Sequence, residues 1–316
     1  MKSNLKIIFV GTQSIGYDAL GMMLRNKHNV VSVITSKPDS HEKWSNNVID
    51  IAKSKKIPVY FDNEFTPSLV KKLKPDIIVV VGYRRIIKDE ILKLPKFGVI
   101  GLHASLLPKF KGNAPLNYAI LNFESVTGIT LFQITNKVDE GDILGQAKTK
   151  IKKDEYITSL KKRVFDLGIK LLEEKLWQIV DETITYTKQE ENNVFYCKRS
   201  PEDGLVDWTK NSHSIFALIR ACEPSYPAYT FYKEKKIEIL KAKINFSNDS
   251  YIGSVGQVGK ILKSKDIVVI TNNGHLIITQ IKVDGKKFKP SQILKNSNIR
   301  FKNIQGEIPR NQKFMW

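Results

Sequence analysis

Five consecutive β-branched residues, Ile77–Val81, stand between Asp76 and Gly82. A strand with one face in water alternates apolar and polar side chains. An unbroken run of this length therefore fits a strand buried on both faces, as in a parallel sheet. Leu5–Val10 is a short apolar run closed by Gly11, Val30–Thr35 is again β-branched and apolar, Ile57–Tyr60 is a short strand, and Val99–Leu102 and Gly128–Gln133 complete the series. Helical patterns alternate with them at Ser14–Leu24, Val48–Ser54 and Thr66–Leu73, the last opened by Pro67 in its first turn. This alternation predicts an α/β fold: a doubly wound, mostly parallel Rossmann-like sheet, with ligands at the carboxyl ends of its strands.

Glu155–Val180 reads as one long helix, because Leu160, Val164, Leu167, Leu171 and Leu172 recur at core-facing spacing. The polar run Lys188–Asn193 then reads as a linker. A helix around His213–Cys222 follows, with Trp208 before it as a packing anchor or a ligand-stacking ring. Short strands come next at Ile237–Ala242, Gly256–Leu262, Ile267–Thr271 and His275–Lys282, with Asn272-Asn273-Gly274 as a hairpin turn. This half predicts a smaller OB-like β-barrel. The expected division is a catalytic domain at 1–187, a linker at 188–201 and a second domain at 202–316.

No apolar stretch approaches the roughly 20 residues of a membrane span, so no membrane partner is expected. The opening run ends in Gly11-Thr12 and reads as a first strand rather than a secretory signal. The two cysteines, Cys197 and Cys222, form no CxxC pair and read as reduced thiols of a cytoplasmic protein. No metal site is expected. The net charge of +19 favours phosphate-bearing partners. The excess is mostly lysine spread along the chain, which equally fits a general compositional bias.

The chemistry concentrates between Leu102 and Leu144. His103 ends a buried strand, Ser105-Leu106-Leu107-Pro108 forms a turn beside it, and Gly112, Pro115 and Gly128 set further turns. Asp139-Glu140-Gly141-Asp142 is a tight acidic loop. A histidine can give or take a proton near neutral pH, and a carboxylate can orient it. On residue type alone His103 reads as structural or catalytic, and Asp142 as a turn residue or a ligand.

In order, His-x-Ser-Leu-Leu-Pro, Gly and Pro, Thr127-Gly128 and Asp-x-Gly-Asp resemble the folate-dependent formyltransferases. The resemblance extends from the opening LKIIFVGT to RSPEDGLVDWTK and the β-rich end, so it covers nearly the whole chain. It implies transfer of a formyl group from 10-formyltetrahydrofolate to an amine. His103 would serve the developing oxyanion, and Asp139 would help deprotonate the amine and orient His103. Val81, Tyr83, Arg84, Ile86, Ile87, Asp139, Gly141 and Asp142 would line the folate site. Ser105, Leu106, Leu107, Pro108, Gly112, Arg199 and Arg220 would face the acceptor, the two arginines through phosphates or through structural salt bridges.

One position departs from the family pattern. The family's usual asparagine two residues before the histidine is Gly101 here. That removes an oxyanion donor worth roughly 10²–10³ in rate, while leaving space. Either a neighbouring group replaces it, the chain is a folate-binding relative with weakened or hydrolytic activity, or the glycine is an introduced substitution. If the rest of the machinery is ordinary, Gly101→Asn is expected to raise the rate. The stretch Gly82–Leu92 and Ala114–Tyr118 look closest to the amino-arabinose formyltransferase domain, and the loop Ser36–Asn47 is shorter than in the tRNA enzymes. The expected acceptor is a nucleotide-linked amino sugar, with methionyl-tRNA as the alternative.

Overall fold

The computed structural model describes residues 5–37, 47–245, 249–296 and 299–302. The first elements are β1 (Lys6–Gly11), α1 (Gln13–Arg25), β2 (Asn29–Thr35), α2 (Val48–Ser54), β3 (Val59–Phe61), α3 (Pro67–Leu73), β4 (Ile77–Val81), α4 (Asp89–Leu92) and β5 (Val99–His103). Then come β6 (Lys111–Gly112), α5 (Pro115–Leu121), β7 (Val126–Gln133), β8 (Ile143–Lys150), α6 (Ile157–Val180) and β9 (Phe195–Tyr196).

Seven strands form one sheet in the order β3-β2-β1-β4-β5-β7-β8. Pairing is parallel from β3 to β5, and β7 runs antiparallel to both its neighbours. The sheet is thus mostly parallel, as its strand composition requires. Every residue of β4 is buried, and Ile7–Val10 of β1 beside it are fully so. Removing each such side chain from water contributes roughly 1.5–3 kcal/mol, which fixes the centre of the sheet. Local signals set the helix starts: Asn47 caps α2 through the Ile49 N–H, and Thr66 caps α3 ahead of Pro67.

The last elements are α7 (Ser212–Ala221), β10 (Ala228–Tyr232), β11 (Lys235–Ile244), β12 (Val258–Ile261), β13 (Ile267–Ile270), β14 (His275–Val283), β15 (Lys286–Phe288) and α8 (Pro290–Ile293). They include a six-stranded antiparallel sheet in the order β10-β11-β14-β13-β12, with β15 on β14. The β13–β14 turn is at Asn272–Gly274, with Gly274 at φ 83°. The segment around Arg300–Lys302 bridges to Gln257 beside β12 and to Phe231 of β10, so it reaches both edges of that sheet. Trp208 is fully buried in this core, stacked on Phe301, and donates to the Thr230 hydroxyl at 3.0 Å.

The chain divides into two compact units. One comprises Met1–Pro115, Val126–Lys150 and Lys161–Cys197. The other comprises Leu116–Ser125, Ile151–Leu160 and Lys198–Trp316. Most of the Ser36–Asn47 loop lies outside the described residues. No helix among the described residues is long and apolar enough to cross a membrane.

Candidate active site

His103 is the last residue of β5, at the carboxyl end of the parallel run. Its ring is mostly buried, Nδ1 lies 3.5 Å from Asp139 Oδ2, and Nε2 lies 2.8 Å from the Phe110 carbonyl. Both nitrogens therefore face oxygen acceptors, which fixes the plane of the ring. The same Asp139 oxygen accepts the Gly112 N–H at 2.8 Å. A carboxylate held by a backbone donor beside an imidazole is suited to orienting the ring and to taking a proton from an incoming nucleophile.

The turn after His103 is tied from within. Thr130 Oγ1 donates to the Ser105 carbonyl at 2.7 Å and accepts from the Leu107 N–H at 3.1 Å. Gln146 Nε2 donates to that hydroxyl and to the Leu107 carbonyl. Ser105 Oγ donates to the Lys109 carbonyl at 2.6 Å. Ser105 and Leu107 are buried, and Leu107–Pro108 is a cis peptide. The Ser105 hydroxyl and the Leu107 backbone are thus tied into the His103 loop.

Tyr83, Ile86 and Ile87 line a cavity of about 390 Å³, with Lys37, Phe61, Asp62 and Arg85. Asp62 accepts from the Tyr83 hydroxyl at 2.8 Å and pairs with Arg85 at 2.8 Å. Burial, then the bond to Asp62, pushes the Tyr83 hydroxyl pKa upward, so it stays a neutral donor. Ile86 is 88% exposed at the rim, an apolar side chain without protein cover. Val81 is buried inside β4, and Arg84 lies on the surface with its guanidinium beside the Gln13 amide.

A second, open cleft of about 480 Å³ is lined by Gly112, Asn113, Lys137, Val138, Glu140 and Tyr196 among others. Of the residues expected around folate, Tyr83, Ile86 and Ile87 line the first concavity, and the acidic loop reaches the second only through Glu140. Arg199 donates to the Asp203 carbonyl at 3.0 Å. Arg220 is buried on α7, lies over the Phe216 ring and donates to the Glu155 carbonyl at 3.1 Å. Those contacts are of structural type.

Gly101 does not leave the space expected of it. A Cβ there would sit 2.7 Å from Ile134 Cδ1, so a side chain at this position would have to turn that terminal methyl aside. Sequence reasoning also missed the contribution of residues 187–196. Gln189 Nε2 donates to the carbonyls of Asp139 and Gly141, and Asn192 Nδ2 to that of Pro108. Lys111, almost wholly buried, bridges Glu140 and the Asn192 carbonyl. A polar run gives no periodic signal, and a lysine is read as exposed by default.

The formyl transferase family model matches residues 5–176, and that of the formyl transferase C-terminal domain matches 198–298. The chain belongs to the formyl transferase family. The methionyl-tRNA formyltransferase of Fusobacterium nucleatum is 34% identical over 295 residues, covering 90% of this chain and 94% of its own length. The bifunctional polymyxin resistance protein ArnA of Wigglesworthia glossinidia brevipalpis is 32% identical over 95% of this chain, which spans 48% of that protein. An N-formyltransferase from Helicobacter canadensis, solved with folinic acid and dTDP-3-aminofucose, aligns at TM-score 0.70 and 24% identity. That alignment covers 89% of this chain and 100% of the other, and at such identity it speaks for the fold alone. Family membership makes this a formyl-transferring enzyme, and the family's formyl donor is a formyl-tetrahydrofolate.

Proposed function

We propose that this protein transfers the formyl group of 10-formyltetrahydrofolate to the primary amine of a nucleotide-linked amino sugar. The observation that carries the chemistry is the His103–Asp139 pair at a strand's carboxyl end, 3.5 Å apart, with the Gly112 N–H on the carboxylate. The amine nitrogen attacks the formyl carbon, the C–N bond to folate breaks, and the folate nitrogen leaves with the proton that the amine gives up through Asp139. Asp139 takes the proton that the attacking amine loses. His103 stabilises the oxygen that gains charge in the tetrahedral state. To do so it must exchange one of its present acceptors for the substrate.

Tyr83, Ile86 and Ile87 would receive part of the folate, with Val81 and Arg84 shaping the approach, and Asp139, Gly141 and Asp142 would complete that site. Leu106, Pro108 and Gly112 would border the acceptor. We assign catalysis to residues 1–187, the joint to 188–201 and the second domain to 202–316, in a cytoplasmic enzyme.

The amino-sugar reading rests on the resemblance of Gly82–Leu92 and Ala114–Tyr118, and on the short loop Ser36–Asn47. Methionyl-tRNA is the second reading, favoured by the 34% identical relative and by the net charge of +19. The test is a formyl-transfer screen with 10-formyltetrahydrofolate against dTDP-, UDP- and GDP-linked amino sugars, with methionyl-tRNA beside them. Formylation of a sugar nucleotide with negligible tRNA product is expected. Robust formylation of methionyl-tRNA, with no sugar accepted, overturns the acceptor assignment.

A further inference from the structure

Asp139 has a positive backbone φ of 54°, in the left-handed region that aspartate adopts more readily than most side chains. The sheet side of its loop is fixed closely. The Gln133 N–H donates to the Asp142 carbonyl at 2.8 Å, and Gly141 packs so near Gln133 that a Cβ would fall 1.7 Å from its carbonyl oxygen. The opposite side is fixed from a distant part of the chain. Gln189 Nε2 donates to the Asp139 carbonyl at 3.0 Å and to the Gly141 carbonyl at 2.7 Å, straddling Glu140. Glu140 in turn pairs with buried Lys111 at 3.1 Å, and Lys111 Nζ donates to the Asn192 carbonyl at 2.7 Å.

The segment carrying Gln189 is itself anchored at both ends. Thr187 and Ile143 exchange two backbone hydrogen bonds of 2.8 Å, and β9 pairs with β6. Asn192 Nδ2 reaches the Pro108 carbonyl at 3.0 Å, so one short stretch touches both the His103 turn and the Asp139 loop. Gln189 Oε1 is buried without a partner among the described residues. The amide nitrogen alone therefore defines what this side chain does.

We propose that Gln189 is a positioning residue: its amide clamps the two carbonyls flanking Glu140, and that sets the Asp139 carboxylate against His103 and the Gly112 N–H. The role rests on the reading of Asp139 as the group that works with His103. A shift of about 1 Å in such a group can cost on the order of 10²-fold in rate.

The test compares Gln189→Ala and the near-isosteric Gln189→Met with the unaltered protein. The methionine variant keeps the buried packing should alanine compromise folding, and thermal melts verify both. Two readouts are taken. The first is the histidine ring ¹⁵N–¹H spectrum, with His103 assigned by its loss in His103→Ala and Asp139→Ala as reference. The His103 signal is expected to move towards its Asp139→Ala position, while the signals of His28, His213 and His275 stay. The second is kinetic: kcat should fall by about 10- to 10²-fold with KM within about twofold. An unmoved His103 signal, or an effect confined to KM, overturns the proposal. The spectrum needs no acceptor, so a moved signal in a protein that formylates none of the tested amines leaves the clamp standing and sinks the proposed function.

Discussion

In the first unit His28 is buried and His103 mostly so, yet the two have opposite surroundings. His103 closes a strand with an oxygen at each ring nitrogen. His28 precedes β2, stacks obliquely on Trp177 at 4.9 Å, and has no hydrogen-bond partner at either nitrogen among the described residues. Burial lowers the His28 pKa, with nearby Glu173 opposing the shift. Burial alone therefore does not tell the two apart. Partners do: an imidazole with acceptors at both nitrogens is held in one orientation and can pass charge, whereas one enclosed without partners acts as a flat, neutral filler.

The sharpest test of the contrast is His103→Ala. Formyl transfer should fall by about 10²–10⁴-fold, with the melting temperature close to that of the unaltered protein. Near-normal turnover would remove His103 from the mechanism. Thr130→Val addresses the scaffold beneath it. The substitution keeps the shape and leaves the Leu107 N–H and a Gln146 N–H short of an acceptor, so a loss of about 1–3 kcal/mol in denaturant unfolding is expected. If the loss is negligible, the turn is held by packing instead.

A third substitution separates donor from space. Gly101→Asn alone should lower kcat, because its Cβ must displace Ile134. Gly101→Asn with Ile134→Ala should raise kcat above that of the glycine enzyme on the same substrate. If the pair is no faster than Gly101→Asn alone, crowding by Ile134 is not what limits an asparagine here. The smallest effect is expected at His28. Its folded pKa is depressed, so the unfolded chain takes up the proton more readily, and stability falls as pH drops below about 6.5, the unfolded value. His28→Leu should flatten the decline in melting temperature between pH 7 and pH 5 and leave formyl transfer unchanged. A decline as steep as in the unaltered protein would show that other groups govern it.

The difference between the two histidines was partly legible in the sequence. His103 follows a buried strand and precedes a turn-rich stretch, and both features are local. Strands β1, β2 and β4 were legible for the same reason, since a run of apolar β-branched residues has few alternatives. Strand β8 was not: Ile143–Lys150 mixes small, polar and charged residues, because it lies at the sheet edge with much of its surface exposed. Helix α4, Asp89–Leu92, is too short to show a period. The clamp at Gln189 was illegible in principle. Its partners lie about 50 residues away in the chain, and a glutamine in a polar run looks the same whether it faces water or another loop.

The pairing of β6 with β9 has a consequence in the order of synthesis. Asn192 meets Pro108 across 84 residues, and everything between must leave the ribosome before the contact can form. A nascent chain that ends with α6 already holds His103, Asp139 and every strand of the seven-stranded sheet. It lacks the stretch that secures the acidic loop. The sheet can thus condense first around β1 and β4, with the loop-closing contacts added late because they are non-local. A fragment cut at the end of α6 would keep every strand of that sheet and lack the Gln189 and Asn192 contacts to the two loops.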